Sequence, residues 1–306
     1  MAAAAVALAW LALLAGMLGE HGWALDLFSH FRIHYVAAFA ALAGLMLWMR
    51  RPVFALAAPV GAAVGAAPAV AYVQPFASPA EASAERFRLV SLNVWYRNHD
   101  LVRIAAFLED AQADAVVLQE LSPSQARTLT GLLPSYPYAH VDPDMRGAAV
   151  YSRWPLSATQ WKPLAEGASR GAYVHIDWRG SRIALLGVHL HWPIVGREAR
   201  IQREQLSSIG VMTRAHDEPL LVAGDFNLPE ERAIYRRHWA DLRNAFSRSG
   251  LGTGYSKQTS FWGSRIDHIL TTADIVTEQA WTAQGVGSDH LPVFADLSLP
   301  VRPQAL

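Results

Sequence analysis

The sequence predicts an α/β protein in which two packed β-sheets carry helices on their outer faces, preceded by three membrane-spanning helices. Apolar residues dominate residues 1–76, whereas the remainder has the mixed composition of a globular domain. From residue 87 onward, short β-type runs outnumber helical patterns, and the helical patterns fall between them. We therefore expect a membrane region (1–73), a linker (74–86), a globular domain (87–299) and a short tail (300–306).

Charge and cysteine content narrow the classes of function. Lys plus Arg and Asp plus Glu both number 26, which argues against a strongly basic protein built to hold long duplex DNA and leaves room only for a local basic patch. The chain has no cysteine, so disulfides and thiolate chemistry are excluded, while the compartment stays open.

Three apolar runs predict the membrane helices, at residues 2–19, 35–49 and 53–73. At 1.5 Å per residue such runs approach the ~30 Å hydrocarbon core of a bilayer, and the second reaches this length best if Ile33 and His34 join it. The first run lacks a basic start, so a cleaved signal peptide fits it less well. A buried helical hairpin of a soluble protein is the alternative interpretation.

The flanking basic residues predict the orientation. Arg50 and Arg51 separate the second and third runs, whereas the connection at 20–34 carries Arg32 against Glu20 and Asp26. The arginine pair should lie in the cytoplasm, which places the globular domain on the non-cytoplasmic side of the cell (inner) membrane. A transporter is a poorer interpretation, because the runs carry no acid or base that could form an ion pathway.

The globular part reads as alternating strands and helices. Residues 87–95 predict a strand, and Asp100 then caps a helix with Leu101, Ile104 and Leu108 on one face. Further strands are predicted at 114–121, 147–153, 172–178 and 182–190, the last two joined as a hairpin through Arg179 and Gly180. A helix at 197–216, a strand from Leu220, a helix after Pro229 and strands near 259–262, 265–272 and 291–299 complete the domain.

The stretch LVAGDFNLPE (221–230) organises the predicted site. Four apolar residues, 220–223, form a buried strand that leads into Asp225 and Asn227. Because these two residues are two apart, an extended backbone points both side chains to the same side. The carboxylate can orient or deprotonate a water, and the amide can donate to a phosphate oxygen. A strand end followed by an Asx-type turn and a helix cap is the alternative.

Other polar residues interrupt apolar strand ends in the same way, so that side chains from several strands can converge on one pocket. They are Asn93, Glu120, His189, Asp267 with His268, and Asp289 with His290. Acids and amides without cysteine suit a hard cation such as Mg²⁺ or Mn²⁺, although the histidines leave a zinc site open.

The ordered series SLNVW, VVLQEL, GVHLHW, AGDFN, RIDHIL and GSDHLPV resembles the endonuclease/exonuclease/phosphatase superfamily. That superfamily includes pancreatic deoxyribonuclease, apurinic endonucleases, sphingomyelinases and inositol polyphosphate phosphatases. The resemblance covers about residues 86–299, and six motifs in the same order make it specific. It implies a four-layer α/β sandwich and metal-dependent hydrolysis of a phosphate ester.

The resemblance also implies roles for the metal-binding and water-activating residues. Glu120 resembles the family's metal-binding glutamate, with Asn93 and Asp289 completing the metal's surroundings directly or through water. Asp225 matches the aspartate that orients or activates the attacking water, and Asn227 matches the amide that holds this water and the phosphate.

The histidines receive their roles from the same resemblance. His290 matches the histidine that contacts the scissile phosphate, with Asp267 fixing its ring and raising its basicity. His189 matches a second phosphate-facing histidine. His191 is a rival, since HLHWP offers two histidines on one side of a strand, but the family register favours His189. His268 stands where the family often has tyrosine and is expected to be structural.

These patterns predict a membrane-anchored, divalent-metal-dependent hydrolase of phosphate esters, and most simply a phosphodiesterase. The expected partners are a nucleic acid or lipid-headgroup substrate and the lipid bilayer, reached through the N-terminal helices; no protein partner is inferred. A non-catalytic, membrane-anchored binding module on the same scaffold is the alternative. Arg146, Arg153 and Arg170 are candidate phosphate contacts, with surface ion pairing as their other fate.

Overall fold

The computed structural model describes residues 2–70, 85–142, 147–239, 241–250, 252–258 and 263–299. The helices are α1 (Ala2–Met17), α2 (Trp23–Leu27), α3 (Arg32–Trp48), α4 (Pro52–Val70), α5 (Leu101–Ala111), α6 (Pro123–Leu132), α7 (Gly196–Arg214), α8 (Ala233–Trp239) and α9 (Ala245–Ser249). The strands are β1 (Glu85–Asn93), β2 (Ala115–Gln119), β3 (Tyr138–His140), β4 (Ala149–Ser152), β5 (Leu156–Pro163), β6 (Arg170–Trp178), β7 (Ser181–His189), β8 (Leu220–Asp225), β9 (Arg243–Asn244), β10 (Lys257–Gln258), β11 (Gly263–Ser264), β12 (Asp267–Thr271), β13 (Val276–Thr282) and β14 (Val293–Leu299).

Two six-stranded sheets form the centre of the globular domain. Their strand orders are β13-β14-β1-β2-β4-β3 and β5-β6-β7-β8-β12-β9. Each sheet is mixed, because β1 pairs in parallel with β2, and β7 with β8, among otherwise antiparallel neighbours. Parallel partners end at the same edge of a sheet. Asn93 therefore lies opposite Gln119, and His189 lies opposite Asp225.

Three apolar cores separate four layers. The core between the sheets contains Phe87, Val117, Leu185 and Leu221 among others. A second core packs α5 and α6 against the outer face of the first sheet through Ile104, Leu108, Leu129 and Leu92. A third packs α7 and α8 against the second sheet through Leu206, Ile209, Trp239 and Val222. The predicted arrangement of two mixed sheets with helices on their outer faces is thus confirmed.

The helix cap and the hairpin turn that the sequence predicts are present in the structure. The Asp100 side chain accepts a hydrogen bond of 3.1 Å from the backbone N–H of Arg103 and so caps α5. β6 and β7 form the predicted hairpin, with Arg179 at a φ of 47° and Gly180 at 84°. Positive φ angles at both turn residues are typical of a type I′ turn, whose twist matches that of the flanking strands.

Several elements differ from the sequence-based expectation. The prediction missed β3, β5 and β13, which lie at sheet edges, where one exposed side weakens the apolar pattern. β5 and β13 also carry register shifts that interrupt the alternation. The prediction missed α6 as well, and the helix expected directly after Pro229 begins at Ala233. The strand predicted near 259–262, most of the linker and the tail lie outside the described residues.

The three predicted membrane runs correspond in position to α1, α3 and α4, which pack together through small cores around Phe39 and Met46. Within the described ranges, no single helix combines the length and apolar composition needed to cross a bilayer. One pair, Trp23–Phe31 with His34–Trp48, meets these criteria jointly and is bent by 63°. The three membrane helices therefore stay a prediction.

Residues 19–31, here called the connecting segment, pack against the globular domain. Asp26 and Arg232 form an ion pair in which both side chains are buried. The His30 ring lies 3.4 Å from an Arg232 guanidinium nitrogen and faces the backbone of Asn227. At the start of α3, His34 stacks on Tyr255 with ring centroids 6.2 Å apart. The connecting segment thus contacts the domain at the edge where β7 and β8 end.

Candidate active site

Polar side chains from both sheets meet where the two parallel strand pairs end. Asn93 is the last residue of β1, Glu120 follows β2, and Asp225 ends β8. The Asn93 amide nitrogen donates to Glu120 Oε1 at 2.9 Å and to Asp225 Oδ2 at 3.0 Å. A buried amide thus joins carboxylates from the two sheets. Because the Asn93 Oδ1 accepts from the Trp95 N–H at 3.0 Å, Asn93 positions the two carboxylates.

The backbone around these carboxylates adopts left-handed conformations. Glu120 has a φ of 59° and Asn227 a φ of 50°, and such residues tend to cluster at functional sites. Gly224 has a φ of 151°, and a Cβ there would lie 1.9 Å from the carbonyl oxygen of Val188. Only glycine fits between β7 and β8 at this point, which lets Asp225 and His189 lie side by side.

Asn227 lies beside Asp225, as the sequence predicts, and the Asx-type turn is present as well. The Asn227 N–H donates to Asp225 Oδ1 at 2.8 Å, and the Asn227 amide nitrogen donates to the Leu190 carbonyl at 2.9 Å. An amide group carries two N–H donors and an oxygen. Asn227 therefore has both a structural role and a possible catalytic one. One N–H of its amide fixes the loop after β7, and the second N–H and the amide oxygen can contact a ligand.

His290 and Asp267 form a buried pair behind Asp225. The His290 Nδ1 lies 2.8 Å from Asp267 Oδ2, and its Nε2 lies 3.7 Å from Asp225 Oδ2. Burial alone would lower the pKa of His290, but the charges of Asp267 and Asp225 and the Asp267 hydrogen bond outweigh it and raise that pKa to about 9. The ring is therefore a cation at neutral pH.

Asp225 occupies the centre of this group. Burial, followed by the charge of Asp267, raises the pKa of Asp225, and the two nearby histidines, His290 and His189, act in the opposite direction. Asp225 and Asp267 are direct partners in the antiparallel register of β8 and β12, so two carboxylates face one imidazole. We place the shared proton on His290, because it alone lies between both carboxylates.

The structure distinguishes between the two histidines of HLHWP. His189 Nε2 lies 3.8 Å from Asp225 Oδ2 and 3.9 Å from Glu120 Oε1. His191 turns away, and its Nδ1 lies 2.5 Å from the Glu198 carboxylate on α7. His189, which the family register favours, is therefore the histidine that faces the cluster.

His268 lies outside the cluster. Its Nε2 lies 2.8 Å from the Leu228 carbonyl and its Nδ1 lies 2.9 Å from the Asn244 amide nitrogen. Burial lowers the pKa of His268 to about 4, so the ring is neutral. These contacts hold the loop after β8 against β9 and agree with the structural role expected for His268.

Asp289 has a partner that sequence reasoning missed. Lys257 forms an ion pair with the Asp289 carboxylate, and its backbone bridges to His290. The other oxygen of Asp289 lies 4.0 Å from His290 Nε2. Lys257 sits in the irregular stretch GYSKQT, where no periodicity marks it. Only the tertiary fold brings this cation to the site.

The two candidate arginines that the structure describes do not join the cluster. Arg170 forms an ion pair of 2.8 Å with Asp142. Arg153 lies over the Tyr136 ring, 5.5 Å from its centroid. Arg146 falls outside the described residues. Ion pairing, the alternative considered for these arginines, describes Arg170, whereas Arg153 contacts an aromatic ring.

The donor set fits a divalent cation. Oxygen and nitrogen atoms of Glu120, His189 and Asp225 all lie within 4.8 Å of one another, as do those of Asp225, Asp267 and His290. The Glu120 side chain is partly exposed, so a hydrated ion can reach it. Several carboxylates at one edge create negative charge that would repel a phosphate unless a cation offsets it.

A protein-family model gives independent evidence of the family to which the chain belongs. The endonuclease/exonuclease/phosphatase family model matches residues 90–290, which span both sheets and the cluster. The chain belongs to this family. Its members are generally phosphoesterases and nucleases that use divalent metal ions. The resemblance seen in the six motifs is thereby confirmed at the level of the family. No curated protein matches the sequence of this chain.

Solved structures share the fold at low sequence identity. A family protein from Bacteroides thetaiotaomicron is 17% identical with a TM-score of 0.58, covering 72% of this chain and 98% of its own. One from Beutenbergia cavernae is 21% identical with a TM-score of 0.58, covering 72% and 73%. D. rerio TDP2, complexed with a single strand DNA product, is 17% identical with a TM-score of 0.60, covering 70% and 99%. At these identities the likeness shows the fold alone.

Proposed function

We propose that the protein is a membrane-anchored, divalent-metal-dependent hydrolase of phosphate esters, and specifically a phosphodiesterase. The observation that carries the proposal is the cluster in which an imidazolium, His290, lies between Asp267 and Asp225 while Asn93 links Asp225 to Glu120. A binding module has no need of a buried cation, a buried base and a partly open carboxylate in one place. The substrate is a nucleic acid, as in the TDP2 complex, or a lipid headgroup.

Glu120 is the residue best placed to hold the metal ion, with His189 within reach and Asp289 beside His290 on the other sheet-edge loop as a further candidate ligand. When bound, Mg²⁺ or Mn²⁺ would neutralise phosphate charge and polarise the phosphorus–oxygen bond. Asn93 keeps the Glu120 carboxylate in position through its 2.9 Å hydrogen bond. Such supporting contacts typically tune metal affinity.

Asp225 and Asn227 would hold the attacking water. A carboxylate whose pKa is raised by burial and by Asp267 is a stronger base than an exposed aspartate, and therefore a better acceptor for the water's proton. The Asn227 amide fixes the direction from which the water approaches. Holding the nucleophile in line with the leaving oxygen supplies much of the rate enhancement in such reactions.

His290 supplies fixed positive charge to the phosphate. Because Asp267 keeps the ring protonated, the imidazolium can stabilise charge that develops on the phosphoryl oxygens in the transition state. His189 offers a second nitrogen on the same side of Asp225. The reaction needs no covalent intermediate. Water attacks phosphorus directly and passes one proton to Asp225, the bond from phosphorus to the leaving oxygen breaks, and the leaving alkoxide takes a proton from solvent.

Membrane anchoring is part of the proposal. The N-terminal helices expose large apolar side chains, including Leu8, Leu11, Leu47 and Leu56. Gly65 of α4 packs against Val36 near the start of α3, so the far end of α4 and the connecting segment share one end of the bundle. Arg50 and Arg51 lie at the other end. This arrangement agrees with cytoplasmic arginines and a catalytic domain on the non-cytoplasmic side of the cell (inner) membrane.

The experiment uses the full chain purified in detergent with a soluble aryl phosphodiester, in the presence of Mg²⁺, Mn²⁺ or a chelator. Metal-dependent hydrolysis should fall at least ~100-fold in Asp225→Asn and in His290→Ala, the scale for losing a positioned base or charge stabiliser. The matched control is Asp296→Asn, which alters an equally buried aspartate that pairs with Arg88 instead. Near-normal turnover in the two site variants would refute the assignment.

The non-catalytic alternative makes a different prediction for the same samples. A binding module would bind Mg²⁺ at Glu120 and show no turnover with aryl, nucleic acid or lipid phosphodiesters. Orientation is tested separately by fusing, after residue 306, a reporter that works only in the cytoplasm. Reporter activity there would contradict the proposed placement of the domain.

A further inference from the structure

Large apolar side chains are exposed at the lip of the catalytic cluster. They lie in the loop that follows β7, three to six residues after His189. Trp192 is 60% exposed, Ile194 46% and Val195 49%. We call these three residues the apolar rim. Single exposed apolar residues are ordinary on a protein surface, but a contiguous set beside a site usually marks an interaction surface.

The apolar rim continues into the connecting segment. Gly196, the residue after the rim, packs against Trp23 so closely that a Cβ would lie 3.1 Å from its indole nitrogen. The connecting segment exposes further rings at Phe28 and Phe31. The buried ion pair between Asp26 and Arg232 fixes the segment to the domain. Rim, segment and the ends of the apolar helices therefore lie on one side of the molecule.

Basic residues follow the apolar rim at once. Arg197, Arg200 and Arg203 are exposed on the first two turns of α7. Arg197 pairs with Glu198 and Arg200 lies 4.0 Å from Glu204, which leaves one net positive charge. Exposed apolar side chains with arginines beside them are typical of protein surfaces that lie at an anionic bilayer, where rings and aliphatic groups enter the headgroup boundary and guanidinium groups meet lipid phosphates.

We propose that the apolar rim lies in the surface of the bilayer and that the substrate is a phosphate ester carried by a membrane lipid. The inference rests on the proposed hydrolase function and chooses between the two substrate classes that the function leaves open. A single-stranded nucleic acid would call for several stacking rings along a basic groove. The rim offers one ring, Trp192, with two aliphatic side chains, and the further exposed rings, Phe28 and Phe31, belong to the segment that joins the apolar helices.

The location of the site fits this substrate. His189 lies just before the rim, and Asn227 faces the connecting segment through His30. A lipid phosphate in the headgroup layer would therefore meet the cluster without leaving the bilayer. Exposing isoleucine and valine to water costs free energy. Contact with a bilayer would recover this free energy, whereas binding of a substrate dissolved in water would not.

The first test measures contact with the membrane independently of catalytic activity. Because the chain has no cysteine, Ile194→Cys and Val211→Cys each provide one site for a nitroxide label. Val211 is 59% exposed on α7 and lies about 22 Å from its start at 1.5 Å per residue. The full chain is reconstituted into vesicles of phosphatidylethanolamine and phosphatidylglycerol. The label at 194 should collide at least about fivefold less with an aqueous nickel complex than the label at 211. Equal collision rates would overturn the proposal.

The second test determines which class of phosphate ester the protein cleaves. Release of labelled phosphate compounds from ³²P-labelled total polar lipid vesicles is compared with hydrolysis of the aryl phosphodiester. The ratio of lipid to aryl turnover should fall at least about tenfold in Ile194→Asp and stay constant in Val211→Asp. Cleavage of the aryl ester and of single-stranded DNA, without cleavage of lipid, would overturn the substrate assignment. Absence of all cleavage together with a lipid-embedded label would count against the hydrolase and leave the membrane contact standing.

Discussion

Replacing Asp267 with asparagine isolates the feature on which the proposed chemistry depends most, the charge on His290. Asp267 Oδ2 lies 2.8 Å from His290 Nδ1, and both side chains are buried. Asparagine keeps the size of the side chain and removes its charge. Burial then acts on His290 against the carboxylates on its other ring nitrogen alone, Asp225 at 3.7 Å and the Lys257-paired Asp289 at 4.0 Å. We expect the imidazolium to lose most of its stabilisation.

The pKa of His290 in the structure sets the size of the expected loss of charge. An increase in the pKa of His290 from 6.5 to about 9 corresponds to about 3 kcal/mol in favour of the imidazolium. Because Asp267 contributes both a charge and a hydrogen bond to this rise, Asp267→Asn lowers the pKa of His290, and the charged fraction at pH 8 falls from about nine-tenths to a minor fraction. Activity that needs the cation should fall about tenfold at pH 8 beyond any loss at pH 6.

The assay is an NMR titration of the histidine Cε1–H signals in the metal-free full chain, with His290→Gln used to assign the signal. The control is Asp296→Asn, in which the pKa of His290 should stay near 9. Because the folded-state pKa exceeds the unfolded value of 6.5, the stability contributed by His290 is complete below pH 6.5 and disappears as pH rises through 9. In Asp267→Asn this pH dependence should flatten. A His290 signal that still titrates above pH 8.5 in Asp267→Asn would refute the reasoning.

Three further variants test other features of the structure. Gly224→Ala should lower the free energy of unfolding by at least about 3 kcal/mol, because its Cβ would overlap a carbonyl of β7. Gly131→Ala, in helix α6 with open space around it, should leave that free energy unchanged or raise it by up to about 1 kcal/mol in the same denaturant titration. Asp26→Ala should lower the free energy of unfolding by about 3–5 kcal/mol, because it leaves the Arg232 charge buried without a carboxylate partner. The double variant Asp26→Leu with Arg232→Met removes both charges and should lower this free energy less. An equal loss in the two proteins would exclude the ion pair as the cause. Asn93→Ala should weaken Mg²⁺ about 10–100-fold, measured as the Mg²⁺ concentration for half-maximal turnover; an unchanged value would show that Asn93 does not position Glu120.

Sequence reasoning succeeded where a local physical signal was strong. Buried strands such as Leu220–Asp225 read directly as apolar runs, and the Asp100 cap and the turn at Arg179 and Gly180 depend only on neighbouring residues. Edge strands were missed because one side faces solvent, so their sequences alternate weakly. The six motifs identified the family and indicated which polar residues lie together, because parallel strands end, and their antiparallel neighbours begin, at the same edge of a sheet.

The sequence by itself determined the α/β architecture, the family and the set of polar residues at the strand ends, since these follow from periodicity and from motif order. Only the tertiary structure decided how the charges in that set are distributed. It placed His290 between two carboxylates, turned His191 away toward Glu198, and brought Lys257 to Asp289 from the short strand β10, which no sequence pattern marks. Burial and distance control protonation, and both depend on residues far apart in the chain.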